Sequence, residues 1–160
     1  MEAVTIRPAC EADLERLDAG LRRLSEGLGD DHRARIGDLR RAGFGAMPSF
    51  RALIAETGDT LMGLALFSPV FSTMRGTAGL YVSDLWVAEE ARGRGLGQGL
   101  LTAAAREAGT LWGAHFLRLV VYDNNPAAQR FYRRLGFSTD TGEILMTLDG
   151  NGLSALKGER

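Results

Sequence analysis

A mixed α/β fold built as one domain is the class this sequence predicts, and three observations lead there. Segments with apolar residues at helical spacing alternate along the 160 residues with short β-branched or aromatic runs. The composition, 45% hydrophobic and 24% charged, is that of an ordinary globular chain long enough to bury a core. No internal repeat, low-complexity tract or linker interrupts it, so residues 1–160 read as a single domain.

The elements follow in order. Val4 to Arg7 predicts a short strand stopped by Pro8. Leu14, Leu17, Leu21 and Leu24 recur at helical spacing, which predicts an amphipathic helix over Glu11 to Leu24. The Gly- and Asp-rich stretch Gly27 to Asp31 breaks it. A weaker helix is expected over Ala34 to Ala42, ended by Gly43. Arg51 to Glu56 and Leu61 to Phe67 flank the turn Thr57-Gly58-Asp59 and predict a hairpin. Phe71 to Gly79 reads as loop and Leu80 to Val87 as a strand. A helix is expected from about Gln98 to Ala108, a strand over Phe116 to Tyr122, and a helix over Pro126 to Leu135. Glu143 to Leu148 predicts a final strand, and the last dozen residues a short tail helix.

Composition also excludes functions. The formal net charge is −1, which argues against nucleic-acid binding. The single cysteine, Cys10, rules out an intramolecular disulfide framework and a thiolate metal cage. His32 and His115 are far apart in sequence and have no cysteine partners, so no metal site is expected. The start MEAVTIRPAC lacks a secretion-signal core, and no apolar run reaches the roughly 18 residues a membrane helix needs. A cytoplasmic protein is the expectation.

The densest chemical signal is ARGRGLGQGLL, Ala91 to Leu101, in which glycines stand at 93, 95, 97 and 99. The first turn of a helix has orphan N–H groups and a positive dipole end, so it attracts anions. Glycine lets an anion approach the backbone. A P-loop would need a lysine here, and the chain's one lysine is Lys157. The G-x-G-x-x-G dinucleotide fingerprint fails because its third position falls on Gln98 or Leu100. What remains is R-x-x-G-x-G, Arg92 through Gly97, at a strand-to-helix junction.

That segment resembles the acyl-CoA pyrophosphate loop of the GNAT N-acetyltransferase superfamily. A second stretch, VYDNNPAAQRFYRRLGF, is similar to the same superfamily's N-x-x-A-x-x-F-Y-x-x-x-G-F signature at Asn125, Ala128, Phe131, Tyr132, Gly136 and Phe137. IRPA near the start, Asp38 to Glu56 and Tyr81 to Val87 look like the diamine branch, which holds spermidine/spermine and thialysine acetyltransferases. Ser83 departs from that branch, which carries an acidic residue there. The resemblance implies a mixed, mostly antiparallel sheet of about six or seven strands with a splayed central pair and flanking helices. It implies acetyl-CoA as acyl donor, a small primary amine as acceptor, direct acetyl transfer, and a homodimer.

The same resemblance distributes roles. The N–H groups of Gly93, Arg94, Gly95, Leu96, Gly97 and Gln98 would hold the pyrophosphate, with Arg92 or Arg94 adding charge. Main-chain groups of Leu85, Trp86 and Val87 would pair with the pantetheine arm and supply an oxyanion donor. Asn125 would bond the cofactor arm; independently, its place before Pro126 marks it as a helix cap. Tyr132 would protonate the departing thiolate. At pH 7 only about one amine in a thousand is neutral, so a carboxylate must take or relay a proton. Asp84 is the candidate base, expected to share a face with Val82 and Trp86 under two-residue alternation; cation anchoring is its alternative role. Glu26, Asp30, Asp31, Ser83 and Asp84 would line the acceptor side. Acetylation of an amino acid, an antibiotic amine or a protein N-terminus, and a noncatalytic acyl-CoA-binding module, are the competing readings.

Overall fold

The computed structural model describes residues 3–159. These residues fall into two compact units, one reaching Tyr122 and one beginning at Asp123.

The first unit is a five-stranded sheet with helices. Its strands are β1 (Thr5–Pro8), β2 (Arg51–Thr57), β3 (Thr60–Ser72), β4 (Thr77–Val87) and β5 (Leu117–Leu119), adjacent in that order. β1 to β4 are antiparallel neighbours, and β5 lies parallel to β4 at the edge. Two-residue alternation sends neighbouring side chains to opposite faces, and two covering helices use this. On one face a Cβ at Gly20 of α1 (Leu14–Leu28) would meet Leu64 and lie near Trp86. On the other, a Cβ at Gly63 would meet Leu100 of α3 (Leu96–Trp112). Leu14, Leu17 and Leu21 are buried on α1, and Leu100, Ala104 and Ala108 on α3. Phe67, fully buried, meets Trp112 edge-on with ring centres 5.9 Å apart. Arg51 of β2 pairs with Glu107 of α3. α2 (Ile36–Phe44) packs beside α1.

An ion network closes the start of this unit. Arg7 donates to both oxygens of Asp13, at 2.8 and 2.9 Å, and to Glu56, while Arg16 donates to Glu56 and Asp13. Asp13 also accepts the Cys10 N–H at 2.8 Å. These bonds, Arg7's first, hold the Asp13 carboxyl far below the usual carboxylate range.

The second unit contains α4 (Pro126–Arg134) and α5 (Gly150–Leu156). Asn125 caps α4, its side-chain oxygen accepting the Ala128 N–H at 3.1 Å, and Pro126 opens the first turn.

Several expectations need correction. The strand predicted over Glu143 to Leu148 is absent, so the described residues form five strands and not six or seven. Ile144, Leu145 and Met146 are consecutive apolar residues, 77–87% exposed. They lack the alternation of a half-buried strand, and the described residues of this unit offer no second strand to pair with. The loop expected over Phe71 to Gly79 shrinks to a four-residue turn, because Val70↔Gly79, Phe71↔Ala78 and Ser72↔Thr77 extend the ladder. β5 is shorter than predicted. The tail helix expected in the last dozen residues is α5.

Candidate active site

β4 carries a β-bulge. Leu66 pairs with Asp84 and Phe67 with Val82, so Ser83 is the extra residue. Its hydroxyl reaches the Leu66 carbonyl at 3.5 Å. The bulge overturns one expectation. Leu66 and Phe67 are adjacent on β3 and face opposite ways, so their partners do too. Asp84 therefore shares the α1 face with Trp86, while Val82 joins Phe67 on the α3 face. Simple alternation fails because the bulge adds one residue.

The bulge also accompanies a split in the sheet. β4 pairs with β5 only at Leu80, Tyr81 and Val82. Among the described residues no strand continues that ladder along Ser83 to Val87. The Ala88 N–H bonds the Met62 carbonyl at 2.8 Å, so Ala88 and Trp86 direct their main chain toward β3. Leu85 and Val87 consequently point their N–H and C=O groups into the opening. The Val87 carbonyl there accepts Arg92 Nε at 3.1 Å, which fastens that arginine to the strand end. Trp86 instead contributes a buried ring on the α1 face, with the Arg23 guanidinium 5.7 Å from its centre.

The glycine loop follows a short turn, Glu89–Ala91. Gly93 and Gly95 adopt left-handed backbone, φ +72° and +79°, which other residues take only with strain. α3 begins at Leu96, two residues before the predicted start, and no side chain caps it. The N–H groups of its first turn are thus left to a ligand or solvent. A Cβ built on Gly93 or Gly95 would meet no protein atom within 4 Å, so the space above these amides is open. Arg94 and Gln98 are exposed beside them. An open groove lined by Gln98, Thr102 and Arg106 continues along α3 from Gly95. Open space, positive φ, uncapped amides and a dipole end suit a diphosphate, and the free edge at Leu85 and Val87 suits an extended amide-bearing arm. The residues present fit coenzyme A.

Asp84 is partly buried. Burial pushes its carboxyl above the usual range, opposed by the Ser83 hydroxyl and by the charge of nearby His32. Asp30 and Asp31 lie exposed beyond the end of α1, and Glu26 in its last turn. Asp30 accepts the Tyr122 hydroxyl at 2.8 Å, and Asp31 pairs with Arg33 at 3.3 Å. Among the described residues, no three His, Cys, Asp or Glu side chains are grouped to hold a metal ion.

In the second unit, Tyr132 lies on α4 with its ring edge-on to Phe131 and Phe137, centres 5.1 and 5.4 Å away. Burial raises its phenol above the ordinary value, so it remains protonated at neutral pH.

Sequence reasoning gave no role to Asp18, Ser25, His32 or Tyr122, which pair in the fold as Asp18 with His32, His32 with Ser25 and Tyr122 with Asp30. Asp18 was legible in principle: it interrupts the apolar stripe of Leu14, Leu17 and Leu21 with a carboxylate that is only 8% exposed.

An open-edged strand running into an anion-ready helix terminus is the architecture of an acyl-CoA transferase, and the family comparison agrees. The Acetyltransferase (GNAT) family model matches residues 19–137, and the chain belongs to that family of N-acetyltransferases, which use acetyl-CoA. It is 29% identical over 171 residues to the thialysine N-epsilon-acetyltransferase of Mus musculus, covering 99% of both chains. It is 33% identical over 146 residues to the Sus scrofa protein of the same name, covering 85% of both. Among solved structures, an integron cassette protein from the mobile metagenome of V. cholerae is similar at a TM-score of 0.79 and 25% identity, covering 98% of this chain and 99% of that one. Among the described residues no helix is long and apolar enough to cross a membrane.

Proposed function

We propose that this protein is a cytoplasmic enzyme that transfers an acetyl group from acetyl-CoA directly to a primary amine of a small molecule, a diamine, polyamine or thialysine-like amino acid. The observation that carries the reading is the open edge of β4 ending at an uncapped helix entered through left-handed glycines. The family match runs over residues 19–137 and so spans Tyr122, and likeness to a relative over 99% of the chain adds to it; both support reading residues 1–160 as one catalytic domain. Likeness to thialysine acetyltransferases over most of the chain supports the acceptor class.

Bound acetyl-CoA supplies an activated thioester. Amides of Gly93 to Gln98 hold the diphosphate, and Leu85 and Val87 orient the arm by strand-like pairing. One of their N–H groups also donates to the reacting carbonyl oxygen. Arg92, tied to Val87, shapes the loop, and Arg94 provides charge. Asp84 receives the ammonium group and takes its proton; its raised affinity for protons suits that task. By family pattern, Tyr132 returns a proton to the thiolate sulfur and Asn125 adds a bond to the arm. Ser83 and the acidic group Glu26, Asp30 and Asp31 meet the acceptor's distal cation, and the enzyme works as a homodimer.

Thiol release from acetyl-CoA with thialysine, spermidine and simple monoamines tests this. Release with amines bearing a second cationic group, exceeding that with monoamines, is expected. Coenzyme A binding without release for any amine would make the protein a binding module instead. Light scattering at micromolar concentration checks the dimer: a monomer's mass there removes it.

A further inference from the structure

One side of α3 carries an open groove of about 520 Å³ that begins at Gly95 and continues past the first turn. Residues four apart share a helix side, so two rows line it. Gly95, Gly99 and Ala103 form a low row, and Gln98, Thr102 and Arg106 a taller polar one. Ile6 of β1 makes the opposite wall. The low row keeps the groove open: a Cβ at Gly99 would stand 3.2 Å from Ile6 Cδ1, and a longer side chain there would fill the space.

The polar row is not used by the fold. Among the described residues, the side chains of Gln98, Thr102 and Arg106 make no hydrogen bond or ion pair with another protein group. Glu107, next to Arg106, is engaged by Arg51. Arg106 therefore places an uncompensated guanidinium at the far end of the groove. Its Cα lies about 12 Å along the helix from that of Gln98. Helical side chains lean toward the N-terminus, which brings its charge back toward the glycine loop. Main-chain N–H groups at this depth are bonded within the helix, so only side chains can meet an anion there.

A donor with its diphosphate on Gly93 to Gln98 and its arm along β4 has its other end free to enter this groove. Coenzyme A carries a second anion on that end. One ribose separates its diphosphate from a 3′-phosphate, a monoester with a charge of about −1.5 to −2 at neutral pH. A guanidinium grips such a group through paired bonds. The groove's volume falls within the range of small-ligand sites, about 300–1,000 Å³, and so has room for a nucleoside as well as its phosphate.

We propose that the groove receives the 3′-phosphoadenosine end of coenzyme A, with Arg106 pairing with the 3′-phosphate and Gln98 and Thr102 bonding the ribose side. The inference rests on the donor placement given above and adds a second anion site, which selects coenzyme A over its 3′-dephospho form.

Calorimetric titration with coenzyme A and with 3′-dephospho-coenzyme A tests this in the wild-type protein and in Arg106→Gln. Wild type should bind coenzyme A about 10-fold more tightly, the low end for a charge-assisted bond because the groove is open to solvent. Arg106→Gln should bind coenzyme A about 10-fold more weakly than wild type and the dephospho form unchanged, so its preference vanishes. Arg106→Lys should keep part of the preference, and added salt should shrink it in wild type. Wild-type affinities within about twofold of each other, or a preference that survives in Arg106→Gln, overturn the inference and leave the donor reading intact. Should Arg106→Gln fail to fold, wild-type amide shifts decide: those that differ between the two ligands should cluster at Thr102 to Arg106, and differences centred elsewhere overturn the inference. Binding of neither ligand overturns the donor reading itself, and this inference with it.

Discussion

Replacing Gly95 probes the loop through two separable effects. Its φ of +79° places it in the left-handed region, where an L side chain costs about 1–2 kcal/mol and a β-branched one more. No protein atom lies within 4 Å of the Cβ position, so the protein itself raises no clash. The stability cost of Gly95→Val is therefore backbone strain, lowering Tm by about 2–8 °C. The space that is free of protein is where the diphosphate would approach. A Cβ there lengthens or breaks amide bonds to a charged acceptor, worth about 1.5–3 kcal/mol each. Losing one raises the coenzyme A Kd by about 10- to 100-fold. Gly95→Asn separates the two effects, since asparagine tolerates left-handed backbone but still carries a Cβ. Calorimetric titration with coenzyme A should find both variants weakened, with only the valine variant markedly less stable. If both bind within about twofold of wild type, well under 1 kcal/mol, the diphosphate does not sit on this loop.

Tyr132→Phe should keep coenzyme A affinity and lower kcat by about 100-fold or more; wild-type turnover across the pH range removes the acid role. Because burial raises the Tyr132 phenol, any loss of kcat it causes should begin only above its ordinary value of about 10. Asp84→Asn should reduce kcat/KM for the amine by about 100-fold, and the wild-type acid limb should lie above the ordinary aspartate value because burial raises this carboxyl; an unaltered pH profile in the variant contradicts its role as base. Asp13→Asn should cost about 1–2 kcal/mol at pH 7 in urea unfolding, with part of the bond energy discounted because Arg7 is 36% exposed. Asp13's proton affinity is depressed in the fold, so its contribution is complete above the unfolded value of about 3.9 and fades as pH falls toward the folded value. The gap between parent and variant should therefore narrow steadily as pH falls below about 3.9; a gap that stays constant over that range points to packing instead.

The elements that packing dictates were readable in the sequence. The leucine spacing of α1, the Gly58 turn of the β2–β3 hairpin and the Asn125-Pro126 opening of α4 each carry a local signal, and each appears in the fold. The glycine loop was legible because its backbone demands are met by glycine alone at positions 93 and 95. The bulge at Ser83 was not, since an inserted residue leaves no mark in apolar alternation until the partner strand fixes the register. For that reason Val82 was assigned to the wrong face, while Asp84 and Trp86, both beyond the bulge, kept theirs. The false strand at Glu143 to Leu148 shows the converse: β-branched and apolar residues state a preference, and a ladder still needs a neighbour. The pairing of His32 was not legible because its partners Asp18 and Ser25 are 14 and 7 residues earlier and meet it only when α1 ends and the chain turns back.

An amide-resolved NMR titration with coenzyme A bears most directly on the central claim that main-chain N–H groups, not side chains, hold the acyl donor. The account predicts the largest shifts at Gly93 to Gln98, with further changes at Leu85 and Val87 along the open strand edge. Shifts centred on other residues, or none at millimolar ligand, would contradict it.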